Sequence, residues 1–113
     1  ESTVLKLNKV FECSAISIED DIAGHELYLF AVSKSKDLDE KINNKIKSIF
    51  GIYALPKKIY YLSELPKTRS GKILRRLLRD ILLNPKSNNY GDLSTILNSE
   101  IINEIQYVVK SYE

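Results

Sequence analysis

The sequence predicts an α+β fold: a short sheet flanked by helices, built in the order β-β-α-β-α and closed by a C-terminal helical extension. Two observations carry this. Segments rich in β-branched and aromatic residues alternate with stretches whose apolar residues recur at helical spacing. The 113 residues are 43% hydrophobic, which suits a single domain over residues 1–113 with a modest core.

The strands come first. Val10 to Ile18, "VFECSAISI", and Leu27 to Val32, "LYLFAV", combine β-branched and apolar residues in short runs. The acidic link between them, "EDDIAGHE", contains Gly24 and reads as a solvated loop, with His25 a loop residue. Next, Leu38, Ile42, Ile46, Ile49 and Phe50 recur at helical spacing. Asp37 is placed to cap that helix, Glu40 stands in capping-box position, Lys45 and Lys47 lie in the last turns, and Gly51 provides a stop. "KIYYL", Lys58 to Leu62, is a third strand. A second helix is expected to begin near Ser70. Its apolar stripe is Ile73, Leu74, Leu77, Leu78, Ile81 and Leu82, and Asn84 and Pro85 close it. The turn-rich "PKSNNYGD" opens a tail over residues 85–113, where Ile101, Ile102, Ile105, Val108 and Val109 mark a last amphipathic helix.

Charge excludes some functions and localises others. The net charge is only +2, so no overall field calls for a polyanion. The single cysteine, Cys13, cannot form an internal disulfide, and its apolar surroundings favour a buried thiol over a nucleophile. The sole histidine, His25, has no second ligand or base spaced to work with it, so no metal site is expected. No apolar run approaches the roughly 18 residues of a membrane span, and the N-terminus lacks a signal-peptide pattern. A cytoplasmic setting is expected, with the nucleus as a second compartment in a eukaryote. The start without methionine suggests a segment of a longer chain.

The positive charge is concentrated between Lys67 and Arg79, which holds Lys67, Arg69, Lys72, Arg75, Arg76 and Arg79 and no acidic residue. Arg75, Arg76 and Arg79 lie opposite the apolar stripe and fit a solvated helix face. A basic nucleic-acid-binding module is the alternative from another class, but no aromatic residue is interleaved with the cations. The segment ahead of the helix, residues 65–72, carries more information. "KTRSGK" has the Gly-Lys pair of a phosphate-binding P-loop, yet Pro66 stands where that motif requires its first glycine. What remains is a loop stiffened by Pro66, with Thr68 and Ser70 as hydroxyl caps and Gly71 free of a Cβ. A lysine in a first helical turn is unfavourable unless an anion is near, so Lys72 implies an anionic partner.

"LPKTRSGKILRR" resembles the last signature of the adenylate-forming enzymes, the superfamily of acyl-CoA synthetases, luciferase and peptide adenylation domains. Their C-terminal domain carries a catalytic lysine in P-K-T-x-x-G-K. The likeness continues in "ECSAISIEDDIAGHELYLFAV" and "GIYALPKKIYYLSELPKT". "YGDLSTILNSEIINEI" is similar to the G-D-x-S-T-L tail of acetyl-CoA synthetases. The chain departs from the family at Ile16 and Ser17, where a Val-Gly pair is common, and at Glu19, where a proline usually stands.

The resemblance implies a ligase that forms acetyl-adenylate from acetate and ATP, with Mg2+ accompanying ATP, and then acetyl-CoA with coenzyme A. A propionyl-CoA or other short-chain synthetase is the second reading within the class. It implies Lys72 as the catalytic lysine, held in the motif loop Pro66, Lys67, Thr68, Arg69, Ser70 and Gly71. By its distance upstream, Lys47 matches an arginine that contacts coenzyme A phosphate, though a place in the last helical turn also explains it. The implied partners are a large N-terminal domain outside these 113 residues, which binds most of the ATP and acyl substrate, and a lysine acetyltransferase and deacetylase acting on Lys72. Nucleic acid and membrane are not expected as partners.

Overall fold

The computed structural model describes residues 10–20, 24–33, 38–91 and 93–111. Strand β1 (Val10–Asp20) and β2 (Gly24–Ser33) form an antiparallel hairpin. Helix α1 (Asp39–Phe50) then crosses over to β3 (Lys58–Leu62), which pairs with β2 in parallel. A parallel neighbour requires such a crossover, since a tight turn reverses the chain. The sheet order is β1-β2-β3. The central β2 is covered on both faces, which explains why its sequence is a continuous apolar run and not an alternating one.

The two faces separate along each strand. Leu29 and Ala31 of β2 and Ile59 and Tyr61 of β3 join Leu38, Ile42 and Ile46 under α1. Phe30, Tyr60 and Leu62 point the other way. They pack with Leu77, Leu78 and Ile81 of α2 (Arg75–Leu83) and with Ile101, Ile105 and Val109 of α3 (Ile101–Ser111). A register shift between Val10 and Glu12 returns Val10 to the α1 side with Cys13, which is buried there.

Several boundaries differ from the sequence reading. The expected loop between the first strands is largely strand, and His25 pairs with Glu19 inside the ladder. With Glu19 and not proline at that position, the backbone donor is retained and β1 runs on to Asp20. Leu38 holds the N-cap position of α1 with no side-chain cap, and Asp37 lies outside the described residues. Gly51, at φ 87°, stops the helix as expected, its N–H donating to the Lys47 carbonyl at 3.0 Å. The stripe of α1 ends at Ile46. Ile49 and Phe50, in the last turn, are 52% and 60% exposed.

Candidate functional site

The motif loop leaves β3 and returns as a hairpin before α2 starts. Gly71 N–H donates to the Thr68 carbonyl at 2.9 Å, and Thr68 N–H donates to the Lys72 carbonyl at 2.8 Å. Gly71 sits at φ 92°. This is the hydrogen-bond pattern of a three-residue hairpin loop with glycine at its left-handed position. The arms then pair through Lys67 and Ile73, and Leu74 N–H donates to the Pro66 carbonyl at 2.9 Å.

Here the structure corrects the sequence reading. Helix α2 begins at Arg75, so Lys72 lies outside its first turn. The reason is backbone bookkeeping: the Lys72 carbonyl already accepts from Thr68, and the first helical bond runs from Leu78 N–H to the Leu74 carbonyl. Thr68 and Ser70 are not helix caps either. Thr68 Oγ1 accepts the Lys72 N–H at 3.1 Å and lies 2.9 Å from Ser70 Oγ. A helix dipole therefore does not single out Lys72. Instead, its N–H and C=O are both tied to Thr68, which fixes the point from which its exposed side chain extends.

Two of the surrounding cations, Lys67 and Arg76, are paired within the fold. Lys67 pairs with Glu12 of β1. Arg76 donates to Asp80 and to the Tyr90 carbonyl, each at 3.1 Å. Among the described residues Lys72 has no ion-pair partner. The dense basic stretch of the sequence is thus partly spent within the fold, which weakens it as a polyanion-binding face. A recess of about 450 Å³ adjoins the hairpin, lined by Thr68, Arg69, Ser70, Ser94 and Thr95.

The sequence reading missed what holds this loop. The tail runs beside it: Arg69 N–H donates to the Thr95 carbonyl at 3.1 Å, and Leu97 N–H to the Lys67 carbonyl at 2.8 Å. Asn98, only 9% exposed, donates from Nδ2 to the Leu65 carbonyl at 3.0 Å and accepts the Lys67 N–H at 3.2 Å. Glu104 of α3 accepts from the Ser63 N–H and hydroxyl at 2.9 and 2.6 Å. In the sequence Asn98 stands in the polar run Asn98-Ser99-Glu100 just ahead of the last helix, which gives no sign of these contacts.

Lys47 is exposed in the last turn of α1. The fold does not bring it to Lys72: α1 packs on one face of the sheet, while the motif loop joins the layer of α2 and α3 on the other. Among the described residues no group of three or more His, Cys, Asp or Glu could hold a metal, and no helix is long and apolar enough to cross a membrane.

Residues 1–72 match the AMP-binding enzyme C-terminal domain. The chain belongs to that family. As an AMP-binding C-terminal domain it is 35% identical over 120 residues to an acetyl-coenzyme A synthetase of Coprinopsis cinerea, covering 98% of this chain and 18% of that enzyme. It is 36% identical over 111 residues to an acetyl-coenzyme A synthetase of Streptomyces coelicolor, covering 94% of this chain and 17% of the enzyme. The chain thus spans less than a fifth of the length of these curated relatives. Its fold matches 17% of a Brucella canis acyl-CoA synthetase, over 77% of this chain, with TM-score 0.68 and 29% identity. An acetoacetyl-CoA synthetase from Streptomyces lividans matches 99% of this chain with 17% of its own, at TM-score 0.74 and 15% identity, a likeness of fold alone. The AMP-binding C-terminal domain match ends at Lys72, yet the segments that clamp the motif loop, 95–98 and 104, lie beyond it.

Proposed function

We propose that this chain is the C-terminal domain of an AMP-forming acetyl-CoA synthetase and that Lys72 is its catalytic lysine. The observation that carries the reading is the hairpin. It presents a lysine with no ion-pair partner among the described residues, its backbone fixed on both sides by Thr68, in a chain whose relatives are acetyl-CoA synthetases.

In the first step the acetate carboxylate attacks the α-phosphorus of ATP, a P–O bond forms, and pyrophosphate leaves with the bridging electron pair. Two anions must approach each other, and negative charge grows on the oxygens around phosphorus. The Lys72 ammonium, delivered by a preorganised loop, offsets that charge where a flexible side chain in water could not. The residues that bind ATP and acetate belong to a large N-terminal domain, and Mg2+ arrives with the ATP phosphates. In the second step the coenzyme A thiolate attacks the acyl carbon and AMP leaves. Lys72 and Lys47 stand on layers covering opposite faces of the sheet. Rotation of this small domain exchanges one for the other at the substrate, Lys47 then contributing a point charge to a coenzyme A phosphate. Acetylation of Lys72 by a lysine acetyltransferase removes the charge and stops the first step, and a deacetylase restores it. The enzyme works in the cytoplasm.

The test is product analysis of the full-length protein and of residues 1–113 alone. The full-length protein is expected to convert acetate, ATP and coenzyme A into acetyl-CoA, AMP and pyrophosphate, and the isolated domain to form none. ATP cleavage to ADP, or acetyl-CoA formed by the isolated domain, overturns the reading.

A further inference from the structure

We infer that Asn98 is a positioning residue for Lys72, acting through the backbone of the motif loop; the inference rests on the catalytic role proposed for that lysine. Residues 65–69 are held from one side by the tail. Asn98 bonds the Leu65 carbonyl and the Lys67 N–H, Leu97 N–H bonds the Lys67 carbonyl, and the Thr95 carbonyl accepts from Arg69. They are held from the other side by the returning arm, where Thr68 meets Lys72 and Lys67 meets Ile73. The arm that carries Lys72 is therefore the outer member of a three-layered ladder, and its inner member is the tail.

Within that ladder Asn98 makes the contacts that only a side chain amide can make at once, one donor and one acceptor two residues apart on the same strand. Its burial means that water does not readily replace it when it is removed. Backbone pairing by Leu97 and Thr95 survives substitution of either side chain, whereas the Asn98 contacts do not. Lys72 itself lies beyond the reach of Asn98, whose side chain bonds only the inner arm of the hairpin among the described residues. Losing those contacts leaves the charge of Lys72 intact and loosens the frame from which it extends. Substrate binding, which belongs to another domain, is unaffected. The expected signature is a loss in kcat of adenylation with KM unchanged.

The experiment uses the full-length enzyme and reads three quantities: acetate-dependent ATP–pyrophosphate exchange, thiolysis of synthetic acetyl-adenylate by coenzyme A, and thermal unfolding. Asn98→Ala is expected to lower kcat of exchange about 10-fold, with KM for acetate and ATP within about 2-fold and thiolysis within about 2-fold of wild type, the scale of a mispositioned group short of its removal. Asn98→Asp keeps the acceptor for the Lys67 N–H but sets a second acceptor against the Leu65 carbonyl, so it is expected to lose at least as much exchange as Asn98→Ala. Asn98→Ser keeps a polar side chain too short to hold both partners, so it decides the matter if Asn98→Ala does not fold: the same selective loss supports the inference, and wild-type exchange overturns it. Equal loss in exchange and thiolysis, or wild-type exchange by Asn98→Ala, also overturns it. Lys72→Ala run alongside separates the two claims. If it leaves exchange intact, the role of Lys72 fails; if it abolishes exchange while Asn98→Ala does not change it, only the inference about Asn98 fails.

Discussion

Replacing Gly71 by alanine tests the hairpin on which the functional reading depends. Gly71 has φ 92°, and a Cβ built on it meets nothing within 4 Å. Any cost is therefore conformational and not steric. A side chain at positive φ costs roughly 1–2 kcal/mol, and the stiffer unfolded chain returns about 0.4–1 kcal/mol of that. The net expected loss is about 0–1.6 kcal/mol. At about 2.1 cal/mol/K of unfolding entropy per residue, this lowers Tm by up to roughly 7 °C for a domain of this size. Asparagine accepts the left-handed region better, so Gly71→Asn is expected to lose less than Gly71→Ala. Thermal unfolding of the domain measures both. A loss above about 3 kcal/mol for Gly71→Ala would mean that the added methyl collides with something, and a gain in stability would mean that the loop does not hold Gly71 at positive φ. Either result refutes the hairpin argument.

Lys72→Gln, a mimic of the acetylated side chain, is expected to leave circular dichroism and Tm unchanged while adenylation by the full-length enzyme collapses, because the side chain is exposed and makes no ion pair among the described residues. Lys47→Ala is expected to raise the apparent KM for coenzyme A several-fold with near-normal pyrophosphate exchange, as loss of one phosphate contact removes mainly uniform binding. Glu26 accepts from Lys57 at 3.1 and 3.2 Å and from the Tyr28 hydroxyl at 3.1 Å. The bond to Glu26 raises the Lys57 pKa; burial and then the bond to Glu26 raise that of Tyr28. Both groups hold protons more tightly when folded, so their stabilisation is full below the unfolded values near pH 10 and is lost as pH climbs through the folded ones. Glu26→Gln is expected to flatten the decline in stability measured by denaturant titration across that alkaline range.

The layers of the fold were legible because they are written in periodicity. The apolar run of β2 and the 3.6-residue stripe of α2 each state which surfaces must be covered, and the structure covers them. What the sequence did not disclose was where backbone groups find their partners. Ser70-Gly71-Lys72 reads as a helix start, since hydroxyl, glycine and apolar stripe stand in the right order. The same residues serve a hairpin whose first arm, Lys67 to Arg69, pairs with residues 95–97, about 30 positions away in the sequence. Local propensity carries no information on such a partner. Likewise, Asn98 looks like a turn residue until Leu65 and Lys67 are seen beside it. Lys72 stands out in the sequence through the motif that surrounds it, and not through a place in the first turn of a helix, since the helix starts at Arg75.

The central claim is that Lys72 serves one half-reaction and not the other, and the most direct measurement is the ratio of the two in full-length Lys72→Ala. Loss of one preorganised electrostatic stabiliser is expected to lower acetate-dependent pyrophosphate exchange by at least ~10²-fold, while synthetic acetyl-adenylate and coenzyme A are turned over within about an order of magnitude of wild type, the hairpin having rotated away by then. Equal losses in both half-reactions would contradict the claim and make Lys72 a residue of domain docking or support.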